Sequence, residues 1–147
     1  MINISKSNDL HVTKVDKEKR MVFGFFSINK VGEDLVEDRQ QDLIETHELE
    51  KAAYDFVLNA RIAGEGHFRK GVGNLVESMM FTYDKQEAIL KTLTDMGIKD
   101  ATFSLGIEGW WGGFQITDDE VLGKIEKGEY PMFSVGGKAK QRVEMED

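Results

Sequence analysis

The residue in this chain best suited to act as a general base is His67. It stands in a segment that also contributes four glycines, at positions 64, 66, 71 and 73. Glycines let another chain approach an imidazole closely, which proton transfer to or from a bound substrate requires. The alternative is a loop histidine whose glycines serve turn geometry. The other two histidines stand in a predicted strand and in a predicted first helical turn, where the helix dipole opposes the protonated ring.

Of the six serines, Ser134 has the surroundings that a nucleophile needs. A nucleophilic serine must lie near backbone N–H groups that can bind an oxyanion, and Gly136 and Gly137 follow it closely. Ser104 stands in a similar string, Phe103-Ser104-Leu105-Gly106, and remains an alternative. Strand serines beside glycine are common, so these residues alone do not decide between the two.

Other chemistries find less support in the sequence. The absence of cysteine excludes a thiolate nucleophile, a disulfide framework and a Cys-ligated zinc site. Gly71-Val72-Gly73-Asn74 lacks the trailing Lys-Ser/Thr of a phosphate loop, and no paired histidines with metal-ligand spacing occur. We therefore predict no metal and no cofactor. The pair Trp110-Trp111 could form a binding platform, although alternation predicts that only one ring faces the core.

Capping residues and helical periodicity predict three helices that would position these residues. Thr46 is a plausible N-cap of a first helix, whose apolar residues recur at helical spacing from Leu49 to Ala60. A second helix is predicted over 84–96, with Gly97 after it. A capping box, Thr117-x-x-Glu120, opens a third helix that ends at Gly128.

The predicted strands outnumber the helices. Residues 10–15 and 21–28 flank a charged turn and indicate a hairpin. Further strands are predicted over 75–83, 101–107, 110–116 and 131–143, and the Gly-rich stretch 64–73 is interpreted as a loop. Residues 31–45 are interpreted as a connector or a flap.

Composition limits the class of protein. The chain has 147 residues and a formal net charge of −8, from 19 Lys+Arg and 27 Asp+Glu. This length fits one domain, and we predict a single α+β domain over 1–147. The acidic balance argues against nucleic-acid binding. The sequence contains neither a run of about 18 apolar residues nor a signal peptide, so we expect a soluble, cytoplasmic protein.

The order of several motifs along the chain is more specific than any of them alone. The chain resembles the phage prohead (capsid maturation) serine proteases, in their XkdF-like branch. The resemblance runs over nearly the whole length and rests on 15–24, 38–42, 48–56, Gly66-His67, 75–78, 109–114, 118–120 and 125–137.

This resemblance implies a fold and a set of site residues. The fold would be similar to the herpesvirus assemblin, a small β-barrel with flanking helices. His67 would be the general base and Ser134 the nucleophile, with Gly136 and Gly137 as the backbone near the oxyanion. Glu77 is a candidate for the third member, which orients the base; a surface carboxylate is the alternative.

The resemblance also implies a role and partners. The protein would be a serine endopeptidase that processes scaffold protein, major capsid protein or both, inside the phage prohead in the host cytoplasm. We expect a homo-oligomer, and neither nucleic acid nor membrane as a partner. Two alternatives remain: a catalytically inactive capsid-assembly or scaffold-binding protein of the same fold, and a small-molecule or carbohydrate binder that uses Trp110-Trp111.

Overall fold

The structure, a computed structural model, describes residues 12–37, 43–65 and 69–128. Its strands are β1 (Val12–Asp16), β2 (Met21–Val31), β3 (Asp34–Leu35), β4 (Ile62–Glu65), β5 (Arg69–Phe81) and β6 (Ile107–Ile116). Its helices are α1 (Thr46–Asn59), α2 (Tyr83–Asp95) and α3 (Asp119–Glu126). No helix in these three ranges is long and apolar enough to cross a membrane.

The strands form one antiparallel sheet in the order β1-β2-β6-β5-β4, and the short β3 also pairs with β2. The long strands β2 and β6 are neighbours from Met21↔Gln115 to Val31↔Ile107. β2 is rich in aromatic and β-branched residues, which favour the pleated, half-buried surface of a strand. The predicted hairpin of β1 and β2 and the predicted α+β class are confirmed.

The core lies between one face of the sheet and α1. The helix buries Leu49, Ala53 and Phe56, the apolar side of its predicted periodicity. The ring of Phe56 contacts the sheet residues Trp110 and Phe114 edge-on, at centroid distances of 5.7 and 6.3 Å. α3 contributes its buried residues to the same core, which therefore forms one continuous cluster.

Two adjacent glycines of β6 make room for aromatic rings of β2. A Cβ on Gly112 would lie 2.4 Å from the Phe26 ring, and one on Gly113 would lie 2.4 Å from the Phe23 ring. Because neighbouring strand residues face opposite sides, the two rings cover opposite faces of the sheet. The Trp110-Trp111 pair is split in the same way, as predicted. Trp110 is buried on the α1 side, and the half-buried Trp111 packs edge-on against Phe25.

The expected β-barrel is wrong for the described strands, which form an open sheet. β1 and β4 are its two edges, and no described strand joins them. α1 covers the face that the far wall of a barrel would cover, so the apolar face is buried without closure. The strand predicted over 131–143 lies outside the described residues.

The N-cap predicted for α1 is wrong. Thr46 is the first helical residue, and Glu45 is the N-cap, with no side-chain capping bond. The hydroxyl of Thr46 instead donates to the buried carboxylate of Glu108, at 2.6 Å. The threonine thus fastens the helix to the sheet, a role that local sequence does not reveal.

The residue predicted as the N-cap of α3, Thr117, precedes the observed N-cap by one position. Asp118 accepts from the N–H of Val121 at 3.0 Å, so it caps the helix. The hydroxyl of Thr117 is engaged elsewhere and donates to the carbonyl of Val72 on β5, at 3.1 Å. The predicted helical stop is confirmed, since Gly128 follows α3 with φ +81°.

Two strand assignments also change. The Gly-rich stretch interpreted as a loop contributes to two paired strands, β4 and β5. Residues 101–106 are not a strand, and β6 begins at Ile107. In that irregular segment the ring of Phe103 packs against Phe81, at 6.4 Å between centroids, which explains an apolar pattern without strand pairing.

Candidate active site

The predicted nucleophile and base lie outside the described residues. Ser134, Gly136 and Gly137 belong to 129–147, and His67 belongs to 66–68. The described chain lies on both sides of His67, and on the N-terminal side of Ser134 it ends at residue 128, just after α3. These flanking elements determine where chemistry at positions 67 and 134 can occur.

Position 67 is carried by the connection between β4 and β5. These strands pair antiparallel, and their outermost pair, Glu65↔Arg69, directly brackets residues 66–68. The pairing extends inward to Ile62↔Asn74. The described residues on both sides of 66–68 are therefore held together as one paired hairpin.

α3, which leads toward position 134, begins at the same end of the sheet. β6 ends at Ile116, whose partner on β5 is Gly73. Immediately after it, the N–H of Thr117 donates to the carbonyl of Val72 at 2.8 Å. The N–H of Ile116 donates to the backbone carbonyl of Arg20, which lies between β1 and β2, at 2.7 Å. That turn, the end of β6 and the beginning of β5 therefore lie at one end of the sheet.

The chain after α3 is long enough to cross this end. Lys17, in the β1–β2 turn, pairs with Glu126 at 3.9 Å, so the last turn of α3 lies beside that turn. About three strand spacings, roughly 14 Å, separate the β1–β2 turn from the β4–β5 hairpin. Residues 128 to 134 can span at most about 20 Å. Arg69 also lies four residues, about 13 Å, beyond the Gly73↔Ile116 pair, so the full separation is close to this limit.

Glu77, the candidate third member, lies farther along β5. It pairs with Gly113 of β6 and is exposed. Eight residues of strand, about 26 Å of extended chain, separate it from Arg69, which stands two residues after His67 in the sequence. Its assignment to the site stays a prediction.

Two described serines have different surroundings. Ser104, the alternative nucleophile, is exposed in the irregular segment before β6. Ser78 is half-buried, and its hydroxyl accepts from the indole N–H of Trp110 at 2.9 Å. This bond gives Ser78 a structural role. Within the described ranges, no group of three potential ligands could hold a metal ion.

The sequence did not reveal a polar triad between the outer sides of α1 and α2. The ammonium of Lys85 lies 2.7 Å from the carboxylate of Glu50 and 2.7 Å from the hydroxyl of Tyr54. Tyr54 itself donates to Glu50 at 2.8 Å. The hydrogen bond from Lys85 is the main cause that lowers the pKa of Glu50, and the bond from Tyr54 lowers it further. Burial opposes the charged ammonium, but the bonds to Glu50 and Tyr54 outweigh it and raise the pKa of Lys85.

A second polar cluster lies at the end of the sheet opposite position 67. Glu108 is buried and accepts from the hydroxyl of Thr46 and, at 2.7 Å, from the N–H of Tyr83. Burial is the main cause that raises the pKa of Tyr83, and the negative charges of Glu108 and Glu33 raise it further. Asn29 and Glu108 stand just outside the predicted strands 21–28 and 101–107, so no sequence pattern marked this cluster. Its contacts fasten helices to the sheet.

A comparison with protein-family models matches residues 9–144 to the family described as "Putative phage serine protease XkdF". Neither a search of curated proteins nor one of solved structures finds a match. The predicted family is therefore confirmed over almost the whole chain. The likeness to the herpesvirus assemblin stays a prediction.

Proposed function

The chain belongs to this family of phage serine proteases, and we propose that it is a serine endopeptidase that processes scaffold protein, major capsid protein or both during prohead maturation. The family match over residues 9–144 is the observation that carries this proposal. The residues supply a separate argument, since their glycine context ranked His67 and Ser134 first among the candidates.

In this proposal, the reaction runs through an acyl-enzyme. Oγ of Ser134 attacks the scissile carbonyl carbon while His67 accepts its proton. The N–H groups around Gly136 and Gly137 stabilise the oxyanion. The C–N bond then breaks, and His67 delivers the proton to the leaving amine. Water then gives a proton to His67 as its oxygen attacks the ester carbonyl carbon, the bond between that carbon and Oγ breaks, and His67 returns the proton to Oγ of Ser134. Glu77 is the proposed orienting group, and no cofactor takes part.

The arrangement of the described elements supports this proposal. The outermost pair of the β4–β5 hairpin brackets position 67, and α3 starts from the same end of the sheet. The described elements that lead toward positions 67 and 134, which are 67 residues apart in sequence, therefore lie at one end of the sheet.

The proposed setting is the interior of the prohead, in the host cytoplasm. There the enzyme acts as a homo-oligomer on scaffold and capsid protein, with neither nucleic acid nor membrane as a partner. Its formal charge of −8 suits basic segments around the cleavage sites.

Co-expression with the neighbouring scaffold and capsid proteins tests the proposal. Wild type should give shortened scaffold or capsid bands, and the Ser134→Ala and His67→Ala variants should give none. Ser104→Ala is the matched control, because Ser104 is an exposed serine beside a similar motif; it should process like wild type. Unprocessed bands with every variant and wild type would instead favour the inactive assembly protein.

The same assay decides the role of Glu77. Loss of an orienting carboxylate typically lowers kcat by up to about 10⁴-fold while leaving the protein folded. Processing by Glu77→Gln at a rate within about twofold of wild type would remove Glu77 from the site. Circular dichroism of each variant confirms that the loss of bands does not come from unfolding.

A further inference from the structure

Over the second half of β5, no described strand pairs with the outer edge. β4 pairs with β5 only between Arg69 and Asn74, and among the described strands no other reaches this edge. The N–H of Leu75 still donates to the carbonyl of Arg61, at 2.9 Å. Beyond it, residues 76–80 run beside the C-terminal half of α1 with no described strand next to them.

The backbone groups of two residues point to this open edge. The carbonyl of Glu77 faces β6, since a Cβ on Gly112 of β6 would lie 2.8 Å from it. The carbonyl of Met80 faces away from β6 and accepts from Nζ of Lys85 at 3.1 Å. Because successive residues of an antiparallel strand alternate in direction, Ser78 and Met80 both present N–H and C=O groups to the edge.

An apolar groove of about 580 Å³ lies along the same edge. α1 contributes Val57 and Leu58 to its wall, and β5 contributes Met79 and Met80. Leu58 is 70% exposed, although it belongs to the helix that packs on the core. Of the lining residues only Lys85 is charged, and Glu50 pairs with it, so the groove carries no net charge.

We propose that this edge and groove bind an extended segment of a partner polypeptide. The segment adds as a further strand along residues 76–80 and places one large apolar side chain against Leu58 and Val57. A row of strand donors and acceptors is matched by another extended backbone, the mode called β-augmentation. The neutral groove suits an uncharged, apolar side chain.

Lys85 does not close the edge to such a segment. A carbonyl oxygen has two lone pairs, so Met80 can accept from a peptide N–H while it keeps the ammonium. Glu50 and Tyr54 hold the ammonium in place from the other side.

The proposed surface is distinct from positions 67 and 134 of the catalytic proposal, and Glu77, the candidate orienting residue, lies on the same strand segment with its backbone carbonyl turned toward β6. Nine residues of strand, about 30 Å of extended chain, separate Ser78 from Arg69 beside position 67. A segment bound there would tether the partner protein away from the bond to be cleaved. Binding at this edge holds or fails whether or not Ser134 and His67 perform proteolysis, so the two proposals are tested separately.

Selection from a random dodecapeptide library on the full-length chain provides the ligand for the test. Binding of the selected peptides is compared between wild type, Leu58→Lys and Met96→Lys. Met96 is the matched control, because it is 69% exposed, against 70% for Leu58, and it also stands at the end of a helix. We expect Leu58→Lys to weaken binding by about tenfold or more and Met96→Lys to leave it unchanged.

Hydrogen exchange identifies the mode of binding. Without peptide, the amides of Ser78 and Met80 should exchange fast, and those of Met79 and Phe81, which face β6, should be protected. The bound peptide should slow Ser78 and Met80 by about tenfold or more. The proposal is overturned if no selected peptide responds to Leu58→Lys, if the peptide leaves both amides unprotected, or if both are already protected in the free chain.

Discussion

The hydroxyl of Thr46 donates to Oε1 of Glu108 at 2.6 Å, which joins the first residue of α1 to a buried carboxylate of β6. The other oxygen of Glu108 accepts from the N–H of Tyr83, the first residue of α2, at 2.7 Å. Asn29 of β2 donates to the oxygen of Thr46 at 2.9 Å. One carboxylate therefore fixes the beginnings of two helices against the sheet.

Removal of this carboxylate should destabilise the fold. We expect Glu108→Ala to lower the free energy of unfolding by about 3 kcal/mol, because the N–H of Tyr83 and the hydroxyl of Thr46 lose a charged acceptor inside the protein. Glu108→Gln should cost about 1 kcal/mol, since the amide oxygen can replace one of the two acceptors. Urea denaturation measures both.

The control for this prediction is Glu87→Ala, on the exposed side of α2. An exposed helix position away from such contacts should change the free energy of unfolding by no more than about 0.5 kcal/mol. Equal costs for Glu108→Ala and Glu87→Ala would show that the buried carboxylate does not hold the helices.

The helices could be predicted more closely than the sheet, for a physical reason. α1 and α2 follow from local periodicity and from end signals such as Gly97, which adopts φ +87° after α2. Strand pairing depends on distant partners. β4 was missed because its pairing with β5, not its own residues, makes it a strand. Residues 101–106 looked like a strand because Phe103 packs on Phe81 without backbone pairing.

For the site, the sequence offered candidate residues, but it did not reveal the polar clusters elsewhere in the fold. The context of glycines pointed to His67 and Ser134, and the family match agrees with the class of chemistry. The buried role of Glu108 and the triad of Lys85, Glu50 and Tyr54 depend on contacts between elements far apart in sequence. Such contacts leave no local pattern, because each partner alone looks like an ordinary polar residue.

A methyl group at Gly112 should be poorly tolerated. The Cβ of Gly112→Ala would lie 2.4 Å from the Phe26 ring and 2.8 Å from the carbonyl of Glu77, and neither can move without disturbing the core or the sheet. We expect a loss of about 2–4 kcal/mol in the free energy of unfolding, as for other overpacked sites.

Gly123→Ala adds the same methyl group as Gly112→Ala, but we expect it to raise the free energy of unfolding. Gly123 lies within α3, and its Cβ would meet nothing within 4 Å. Alanine favours a helix over glycine by up to about 1 kcal/mol, so this variant should unfold at a higher urea concentration than wild type. If both variants shifted the midpoint equally, the close contact of Gly112 with Phe26 would be ruled out.

The two tryptophans should respond differently to replacement. Trp110→Phe removes the bond from the indole to Ser78 and leaves a gap in the core, so we expect a loss of about 1–3 kcal/mol. Trp111→Phe should cost under about 1 kcal/mol, because Trp111 is only half-buried. Acrylamide should quench the fluorescence that remains in Trp110→Phe more strongly than that in Trp111→Phe. Equal quenching would contradict the split of the pair across the sheet.

The contribution of Glu50 should depend on pH. Because Lys85 and Tyr54 lower the pKa of Glu50 in the folded protein, its contribution is complete above the ordinary carboxyl pKa and is lost as the pH falls through the folded value. We expect Glu50→Gln to cost about 1 kcal/mol at pH 7, and this difference from wild type should shrink as the pH falls below 4.5, the ordinary carboxyl value. Asp95→Asn, in the exposed pair with Lys91, should cost less than about 0.5 kcal/mol at pH 7. Urea unfolding at several pH values measures these differences, and a cost of Glu50→Gln that grew as the pH fell would contradict the link to Lys85.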